Sequence, residues 1–517
     1  MIVETQTLVA GTWVLISVYA VAILFFVIRG ALKTQSISDF AIGNIQFSPV
    51  AVGLSLAASI TSAATFVVNP GFIANYGISG VLSFVVFFPM AALISLVVLT
   101  KSFRKYGQQT KALTLAQWIG DRYSSRTYSL LMAFMSLLVI TFIVLIAVAL
   151  TKVLSKALDI DEMYVLVGLV IFVFGYIMFG GANSMVYTNT IQAGVMIVVA
   201  IILLTSGYEH FKDGIDGFIE KLRNIDPVLG ETTNPGSLLF RDYYEIIFAQ
   251  IIVGIAVVVQ PHIITKSLLL KSDKQVNKFL TVAVIAEVLF FSVAFTGLYA
   301  RLTFPDLTFM GEPLKNDGII PAYVVAAFSQ GWVSVSIGLI VILGLISAGL
   351  STLEGLIQSV STTITSDIVK PLSRKKLTEK QLLAINKLAI VGLAVITIVV
   401  SWDQIVSPKL SVGILAQNGV YAYFSAAFIP VLFGIFIKKV DFRAPLAATI
   451  TSIVVHFSVY YLLPALVAEY NLNFGFFTKY LTGVVRNPAI AASTAIIVST
   501  LVGVIVHQAT KKKFQEN

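Results

Sequence analysis

The sequence predicts an all-α polytopic membrane protein with about 13 transmembrane helices. Of its 517 residues, 57% are hydrophobic and only 12% are charged, and the mean hydropathy is +0.91. A water-soluble domain contains about 45–50% apolar and about 25% charged residues. Stretches of about 20 apolar residues recur along the chain, and each is long enough to cross a hydrocarbon core of about 30 Å. These observations exclude a water-soluble globular protein.

Thirteen spans can be placed, with ends expected to be accurate to a few residues. The first follows MIVETQTL, which lacks a basic leader region, so we expect a retained helix rather than a cleaved signal. The predicted spans lie near residues 8–30, 48–75, 79–100, 125–155, 163–181, 184–206, 243–265, 277–304, 333–368, 381–405, 408–437, 443–467 and 487–508.

Two longer connections are expected to carry surface helices. The segment 207–242 has charged residues at helical spacing, including Asp216 and Glu220, before a stretch rich in Gly and Pro. This pattern predicts a short amphipathic helix that caps the outer surface. The segment 305–330 contains Pro305 and Pro313 before GIIPAYVVAAF, and it predicts a second surface helix.

Charged residues are distributed unequally between the two sides of the predicted bundle. When the connections are assigned alternately, starting outside, most of the 35 Lys and Arg residues fall on one side. Acidic clusters such as Asp159, Asp161 and Glu162 fall on the other. The positive-inside rule then predicts an outside amino terminus and a cytoplasmic carboxyl terminus in a plasma or inner cell membrane. The net charge of +9 is therefore interpreted as a topology signal, and we expect no nucleic-acid partner.

The chain lacks the usual signatures of an enzyme. It contains no cysteine, and its four histidines are widely separated. No HExxH, Walker or GxSxG motif is present. We therefore expect no catalytic residues and no enzymatic activity.

Small and hydroxyl residues are concentrated in the second span, which reads SLAASITSAATFVVNPG from Ser55 to Gly71. Asn69-Pro70-Gly71 is expected to interrupt the helix, since proline lacks a backbone donor. Carbonyl groups freed in this way can bind a cation when they face a cavity. The alternative is a seam of small residues at which neighbouring helices come together closely.

The ninth span reads GLISAGLSTLEGLIQSVSTTITSD from Gly344 to Asp367 and carries a carboxylate at mid-depth. Ser351 and Thr352 offer hydroxyl oxygens, which a hard cation accepts as ligands. Glu354 is costly in a membrane interior, so it is expected to face a cavity, a partner or a bound cation. The alternative is a protonated glutamic acid that is hydrogen-bonded within the bundle.

Four motifs resemble the sodium:solute symporter family. They are the second-span SLAAS and SAATF, GGANSMVYTNTIQAG at residues 180–194, QPHIITK at residues 260–266, and SAGLST in the ninth span. The motifs occur in the family's order and at compatible spacing between about Ser38 and Gly434. QPHIITK is most similar to the proline, pantothenate and acetate branches.

The resemblance implies two inverted five-helix repeats, as in the leucine-transporter fold. Residues 48–206 would form the first repeat from spans 2–6, and residues 243–437 the second from spans 7–11. Residues 1–47 would add one span and an inner loop, 207–242 an extracellular loop, and 438–517 two further spans and a basic tail. Spans 2 and 7 would be the interrupted helices.

The family's sodium site, carried over position by position, falls at Ala58, Thr61, Ala348, Ser351 and Thr352. Sodium is the only metal that the resemblance implies. Where some members place an aspartate in span 6 for a second sodium, this chain has Asn189. The matching ninth-span serine positions hold Glu354 and Gly355, so these three positions are interpreted as a second cation site or a proton site.

The family's solute positions fall on few hydrogen-bonding groups in this chain. They correspond to Thr65, Phe66, Asn69, Ser83, Phe84, Phe87, Val253, Ala256, Val257 and Gln417. Sugar hydroxyls would go unpaired in such a site, at a cost of about 1–3 kcal/mol for each buried group. The resemblance therefore implies sodium-coupled symport of a small organic acid or amino acid by a monomer in the lipid bilayer. The alternatives are a proton-coupled symporter that uses Glu354, a transporter-like sensor, or a channel.

Overall fold

The computed structural model describes residues 2–45, 47–110, 112–270, 273–328, 331–407, 410–483 and 485–515. Residues 408 and 409, at the predicted start of span 11, lie outside these ranges, as do residues 516 and 517 of the predicted basic tail.

The described chain is built almost entirely from helices. They are α1 Ile2–Ala31, α2 Ile37–Ile42, α3 Pro49–Ile60, α4 Asn69–Tyr76, α5 Ile78–Val81, α6 Phe88–Thr110, α7 Leu115–Arg122, α8 Arg126–Ser136, α9 Ile140–Leu158, α10 Glu162–Ser206, α11 Gly214–Ile225, α12 Gln250–Val257, α13 Pro261–Ile264, α14 Val276–Ser292, α15 Thr296–Thr303, α16 Ile319–Ala327, α17 Gly331–Thr363, α18 Lys370–Leu372, α19 Glu379–Val406, α20 Val412–Phe436, α21 Arg443–Phe457, α22 Leu463–Tyr470, α23 Thr478–Leu481 and α24 Pro488–Gln515. Wider, π-type turns occupy Ala64–Val68, Leu82–Phe87, Tyr244–Ala249, Ile364–Val369 and Ser458–Leu462.

The two longer connections contain short helices and one small hairpin. The amphipathic helix expected in 207–242 is α11. The segment 305–330 differs in part from expectation, because a two-residue hairpin precedes its helix α16. Its strands, β1 Thr308–Phe309 and β2 Glu312–Pro313, are antiparallel, with Thr308 opposite Pro313.

The expected count of 13 spans is not confirmed by helix length and composition. Within the described residues, ten helices are long and apolar enough to cross a membrane, or 12 if each of two bent pairs counts as one span. The difference lies in α10, whose 45 residues contain both predicted spans 5 and 6. At about 1.5 Å per residue, this length is roughly twice the thickness of a hydrocarbon core.

Gly181 divides α10 into two helices that continue without a connecting loop. Its backbone has φ +57° and ψ −157°, which is not helical. A Cβ atom at this position would lie 2.9 Å from Phe40 Cα and 3.0 Å from the Phe40 carbonyl oxygen. Both the left-handed φ and the close approach of α2 therefore require glycine at this position.

The two spans expected to be interrupted are the two that the structure bends. The second bends by 53° between Pro49–Ile60 and Ala64–Tyr76, and the seventh by 54° between Tyr244–Val257 and Pro261–Leu269. In span 7, Gln260 is extended because the residue before a proline disfavours helical geometry.

The position expected for the break in span 2 is wrong. The break lies at Thr61, whose φ of −84° and ψ of 112° end α3, and not at Asn69-Pro70-Gly71. Pro70 is tolerated because it lies in the first turn of α4. Gly71 instead allows the backbone of Asn316 to come close to α4, since a Cβ atom at position 71 would lie 1.9 Å from the Asn316 carbonyl oxygen.

The broken span 2 lies at the centre of the bundle. Its first half, α3, contacts α10, α14 and α17, and α17 also packs along α10. The apolar faces of α1 and α19 are mostly exposed, as expected for helices that contact lipid, whereas α20 is mostly buried. The polar residues of spans 2, 6, 7 and 9 are therefore enclosed by other helices.

Candidate functional site

The five predicted sodium ligands converge where α3 ends against α17. Ala58, Thr61, Ala348, Ser351 and Thr352 are all fully buried. The Ser351 hydroxyl donates to the Ala58 carbonyl at 2.6 Å and lies 3.1 Å from the Ala348 carbonyl. The structure therefore brings the predicted set together.

Acceptors outnumber donors around Thr352. Its Oγ1 lies 3.2 Å from the carbonyl oxygens of Ser59 and Thr61, and 3.4 Å from those of Ala58 and Ala348. One hydroxyl carries one proton and can satisfy only one of these carbonyls at a time. Because buried carbonyls require a partner, this cluster of oxygen atoms suits a small hard cation.

Thr61 connects this cluster to the eighth span. Its hydroxyl donates to Glu287 Oε2 at 2.7 Å, and Glu287, on α14, is fully buried. This bond fixes the side chain of the residue at which α3 ends, and so it orients the Thr61 carbonyl towards Thr352.

Glu354 lies deeper in α17 and is surrounded by donors from α10. Its Oε1 accepts from the Tyr176 hydroxyl at 2.5 Å and from Gln192 Nε2 at 3.3 Å. Its Oε2 accepts from the Thr188 hydroxyl at 2.7 Å. A carboxylate with this many charge-assisted hydrogen bonds can be held within the bundle.

Asn189 bridges Glu354 to a buried lysine. The amide orientation that satisfies every neighbour has its nitrogen donating to Glu354 Oε2 at 3.1 Å and to Gln192 Oε1 at 3.0 Å. Its oxygen then accepts from Lys266 Nζ and from Ser59 Oγ, both at 3.0 Å. This orientation is assigned from the hydrogen-bond network. Gly355 lies beside Glu354 in the chain, and a Cβ atom at this position would lie 3.4 Å from His262 Cβ.

A cavity adjoins the break in span 2, and no described residue of α17 is part of its lining. It has a volume of about 100 Å³ and lies between spans 2, 3, 4, 7, 8 and 11. Its polar lining comprises Ser62, Thr65, Asn69, Gln260, His262, Gln417 and Tyr421, and the remaining lining is mainly aromatic and aliphatic. A largely apolar pocket with a few convergent polar groups is typical of a small-molecule site.

A scan against protein-family models matches residues 40–452 to the sodium:solute symporter family. The chain belongs to this family. The expectation of a multi-pass membrane transporter rather than an enzyme is thereby confirmed.

The curated relatives of this symporter chain include sodium/pantothenate symporters. The Escherichia coli (strain K12) protein is 24% identical over 427 residues, which cover 80% of this chain and 82% of the relative. The Haemophilus influenzae protein is 26% identical over 315 residues, which cover 60% of this chain and 62% of the relative. The predicted likeness to the pantothenate branch is confirmed.

A solved structure of a Na⁺-coupled sialic acid symporter, in a substrate-bound outward-open state, has a similar fold. The TM-score is 0.71 with 16% sequence identity, and the match covers 96% of this chain and 98% of that one. The predicted fold class, an all-α polytopic membrane protein with a leucine-transporter-like core, is confirmed, whereas the count of 13 spans is not.

The predicted solute positions of the symporter divide into two groups. Thr65, Asn69, Phe84, Val257 and Gln417 line the cavity. The other five lie outside its lining and are Phe66, Ser83, Phe87, Val253 and Ala256.

Three functional candidates were missed by the sequence analysis. Gln260 and His262 line the cavity, and Lys266 contacts Asn189. All three belong to QPHIITK, which was used only to identify the family and, for Lys266, to assign topology. Proline after Gln260 was the available signal, because it predicts a break that turns these side chains into the bundle.

In the described part of the chain, no group of three His, Cys, Asp or Glu side chains could hold a metal ion.

Removing the Tyr176 hydroxyl is expected to destabilise the symporter. Tyr176→Phe leaves Glu354 Oε1 with only the 3.3 Å contact to Gln192. Loss of a hydrogen bond to a charged group costs about 1.5–3 kcal/mol. The thermal unfolding midpoint of the purified variant should therefore fall clearly below that of the wild type.

Tyr164→Phe is the matched control, because Tyr164 lies on the same helix and is 76% exposed. Its unfolding midpoint should equal that of the wild type. Equal midpoints for Tyr176→Phe and Tyr164→Phe would contradict the role assigned to the Tyr176 hydroxyl.

Proposed function

We propose that the protein is a sodium-coupled symporter that moves a small organic solute by alternating access. The observation that carries this proposal is the Thr352 hydroxyl, which faces three carbonyl oxygens at the break in span 2 and one in its own helix. Sodium would be bound by Ala58, Thr61, Ala348, Ser351 and Thr352. Its binding holds span 2 against span 9 and so favours one conformation of the neighbouring cavity, which raises solute affinity by linkage.

The proposed solute carries a carboxylate and is an organic acid or an amino acid rather than a sugar. Two side chains of the cavity support this choice. Both ring nitrogens of His262 and the Oε1 atom of Gln260 are buried without a hydrogen-bond partner among the described residues. A solute that donates to Gln260 and accepts from His262 would satisfy both, whereas an apolar solute would leave them unpaired.

The two bent spans suggest which helices move during transport. Residues 48–206 and 243–437 are proposed as the two inverted repeats, and the bundle of spans 2, 3, 7 and 8 moves against the remaining helices. The proposed ion ligands and cavity come from one chain, so a monomer in the bilayer is sufficient. The distribution of basic residues supports an outside amino terminus and a cytoplasmic carboxyl terminus.

Sodium is expected to stabilise the purified protein against heat, and potassium at matched ionic strength is not. A ligand that binds only the folded state contributes about 2.7 kcal/mol at 100 times its dissociation constant. The thermal midpoint should rise with sodium concentration in the wild type. In Ser351→Ala/Thr352→Ala the shift should vanish, since both hydroxyl ligands are removed.

Ser336→Ala is the control for this measurement. Ser336 lies on the same helix, is exposed, and donates only to its own helix at the Trp332 carbonyl. Its sodium-dependent shift should match that of the wild type. A shift that persists in the double variant would contradict the proposed sodium site.

Solute class can be tested by the same thermal shift in saturating sodium. Monocarboxylates and amino acids are expected to add stability, and neutral sugars are not. In His262→Phe the carboxylate effect should weaken at least tenfold in apparent affinity, because a hydrogen bond to a charged group is lost. His210→Phe, at a half-buried histidine in the 207–242 connection and outside the cavity lining, is the control. Stabilisation by sugars alone would overturn the proposed solute class.

Orientation can be tested in intact cells because the chain contains no cysteine. An impermeant thiol reagent should label Asp216→Cys directly, since this exposed residue lies on α11. It should label Lys375→Cys, between α18 and α19, only after the membrane is permeabilised. The reverse pattern would overturn the proposed orientation.

A further inference from the structure

A lysine side chain lies buried beside the proposed sodium site. Lys266 is 3% exposed, and its ammonium donates to the Ser55 carbonyl at 2.9 Å and to Ser55 Oγ at 2.8 Å. Its third donor meets the Asn189 amide oxygen at 3.0 Å. An ammonium carries three N–H donors, and each is therefore satisfied by an oxygen atom of span 2 or span 6.

The countercharge of this ammonium is Glu354 on span 9. Asn189 connects the two groups, because its oxygen accepts from Lys266 while its nitrogen donates to Glu354 Oε2 at 3.1 Å. The Asn189 amide therefore lies between the two charged groups and contacts both. An uncompensated charge is costly inside a membrane, so the charge on each side chain stabilises the opposite charge on the other.

We infer that the Lys266 ammonium is a tethered cation that takes the place of a second sodium ion, so that one sodium ion is coupled to each solute molecule. This inference rests on the proposed function. It also decides among the roles considered for Glu354, Asn189 and Gly355. The cation beside Glu354 is the protein's own lysine and neither a transported sodium ion nor a proton.

The charges of the cluster support this assignment. Span 6 offers an amide at Asn189, so Glu354 supplies the single negative charge of the cluster and one ammonium balances it. The acceptors of Lys266 are a carbonyl, a hydroxyl and an amide oxygen, the same types of atom that a hard cation binds. A sodium ion added to this balanced pair would leave the cluster with one uncompensated positive charge.

Counting bound sodium tests the inference with the full chain in lipid nanodiscs. Radioactive sodium at saturating concentration should bind to the wild type at one ion per chain. Lys266→Ala should bind two, because removal of the ammonium exposes the oxygen atoms of Ser55 and Asn189 next to an unbalanced Glu354. Lys266→Ala/Glu354→Gln should return to one, because the negative charge is also removed.

Lys152→Ala is the matched control, since Lys152 forms an ion pair with Glu162 at 3.0 Å near the end of α9, away from the cluster. It should bind one sodium ion per chain. Glu354→Gln alone should also bind one, because Glu354 does not ligate sodium while Lys266 is present. This variant keeps the inference testable if Lys266→Ala does not fold.

The outcomes separate this inference from the function on which it rests. A wild-type count of two overturns the tethered cation, and so does a count of one in folded Lys266→Ala or a loss of sodium in Glu354→Gln. A wild-type count of zero contradicts the proposed sodium site itself. A count of one in the wild type that is kept in Ser351→Ala/Thr352→Ala contradicts the assigned sodium ligands.

Discussion

The structure depends on backbone carbonyls that the second span cannot satisfy by itself. Where α3 ends at Thr61, the last carbonyl groups lose their helical partners, and a membrane interior supplies no water to replace them. Ser351 and Thr352 on α17 meet these carbonyls from one side, and Glu287 on α14 fixes Thr61 from another. Three spans are therefore held together around one discontinuity.

Ser59 connects this break in the helix to the cluster formed by Lys266, Asn189 and Glu354. Its carbonyl faces the Thr352 hydroxyl, while its own hydroxyl meets the Asn189 amide. One residue thus belongs to a group of neutral oxygen atoms and to a network with two opposite charges. A change in the position of α3 would alter both groups together, which gives the proposed ion site and the charged pair a direct mechanical connection.

The sequence predicted the membrane class, most of the spans and a sodium site whose five residues converge in space. Those features rest on hydropathy and on local motifs, which a single chain displays directly. The position of the break in span 2 was not predictable from Pro70, because a proline in the first turn of a helix is tolerated. Lys266 lies near the end of a predicted span, where a lysine usually extends to the membrane surface. Its burial depends on the turn at Gln260 and on acceptors from spans 2 and 6, which are distant in the sequence.

The proposed ratio of one sodium ion to one solute molecule decides how the membrane voltage acts on a complete transport cycle. Because the proposed tethered cation Lys266 takes the place of a second sodium ion, the net charge that would cross in one cycle is that of one sodium ion plus the solute. A monocarboxylate would neutralise the ion, and only the two concentration gradients would then drive the cycle. A zwitterionic amino acid would leave one positive charge, which gains about 2.3 kcal/mol on crossing 100 mV. With the proposed stoichiometry, transport would therefore be electroneutral for one class of solute and electrogenic for the other.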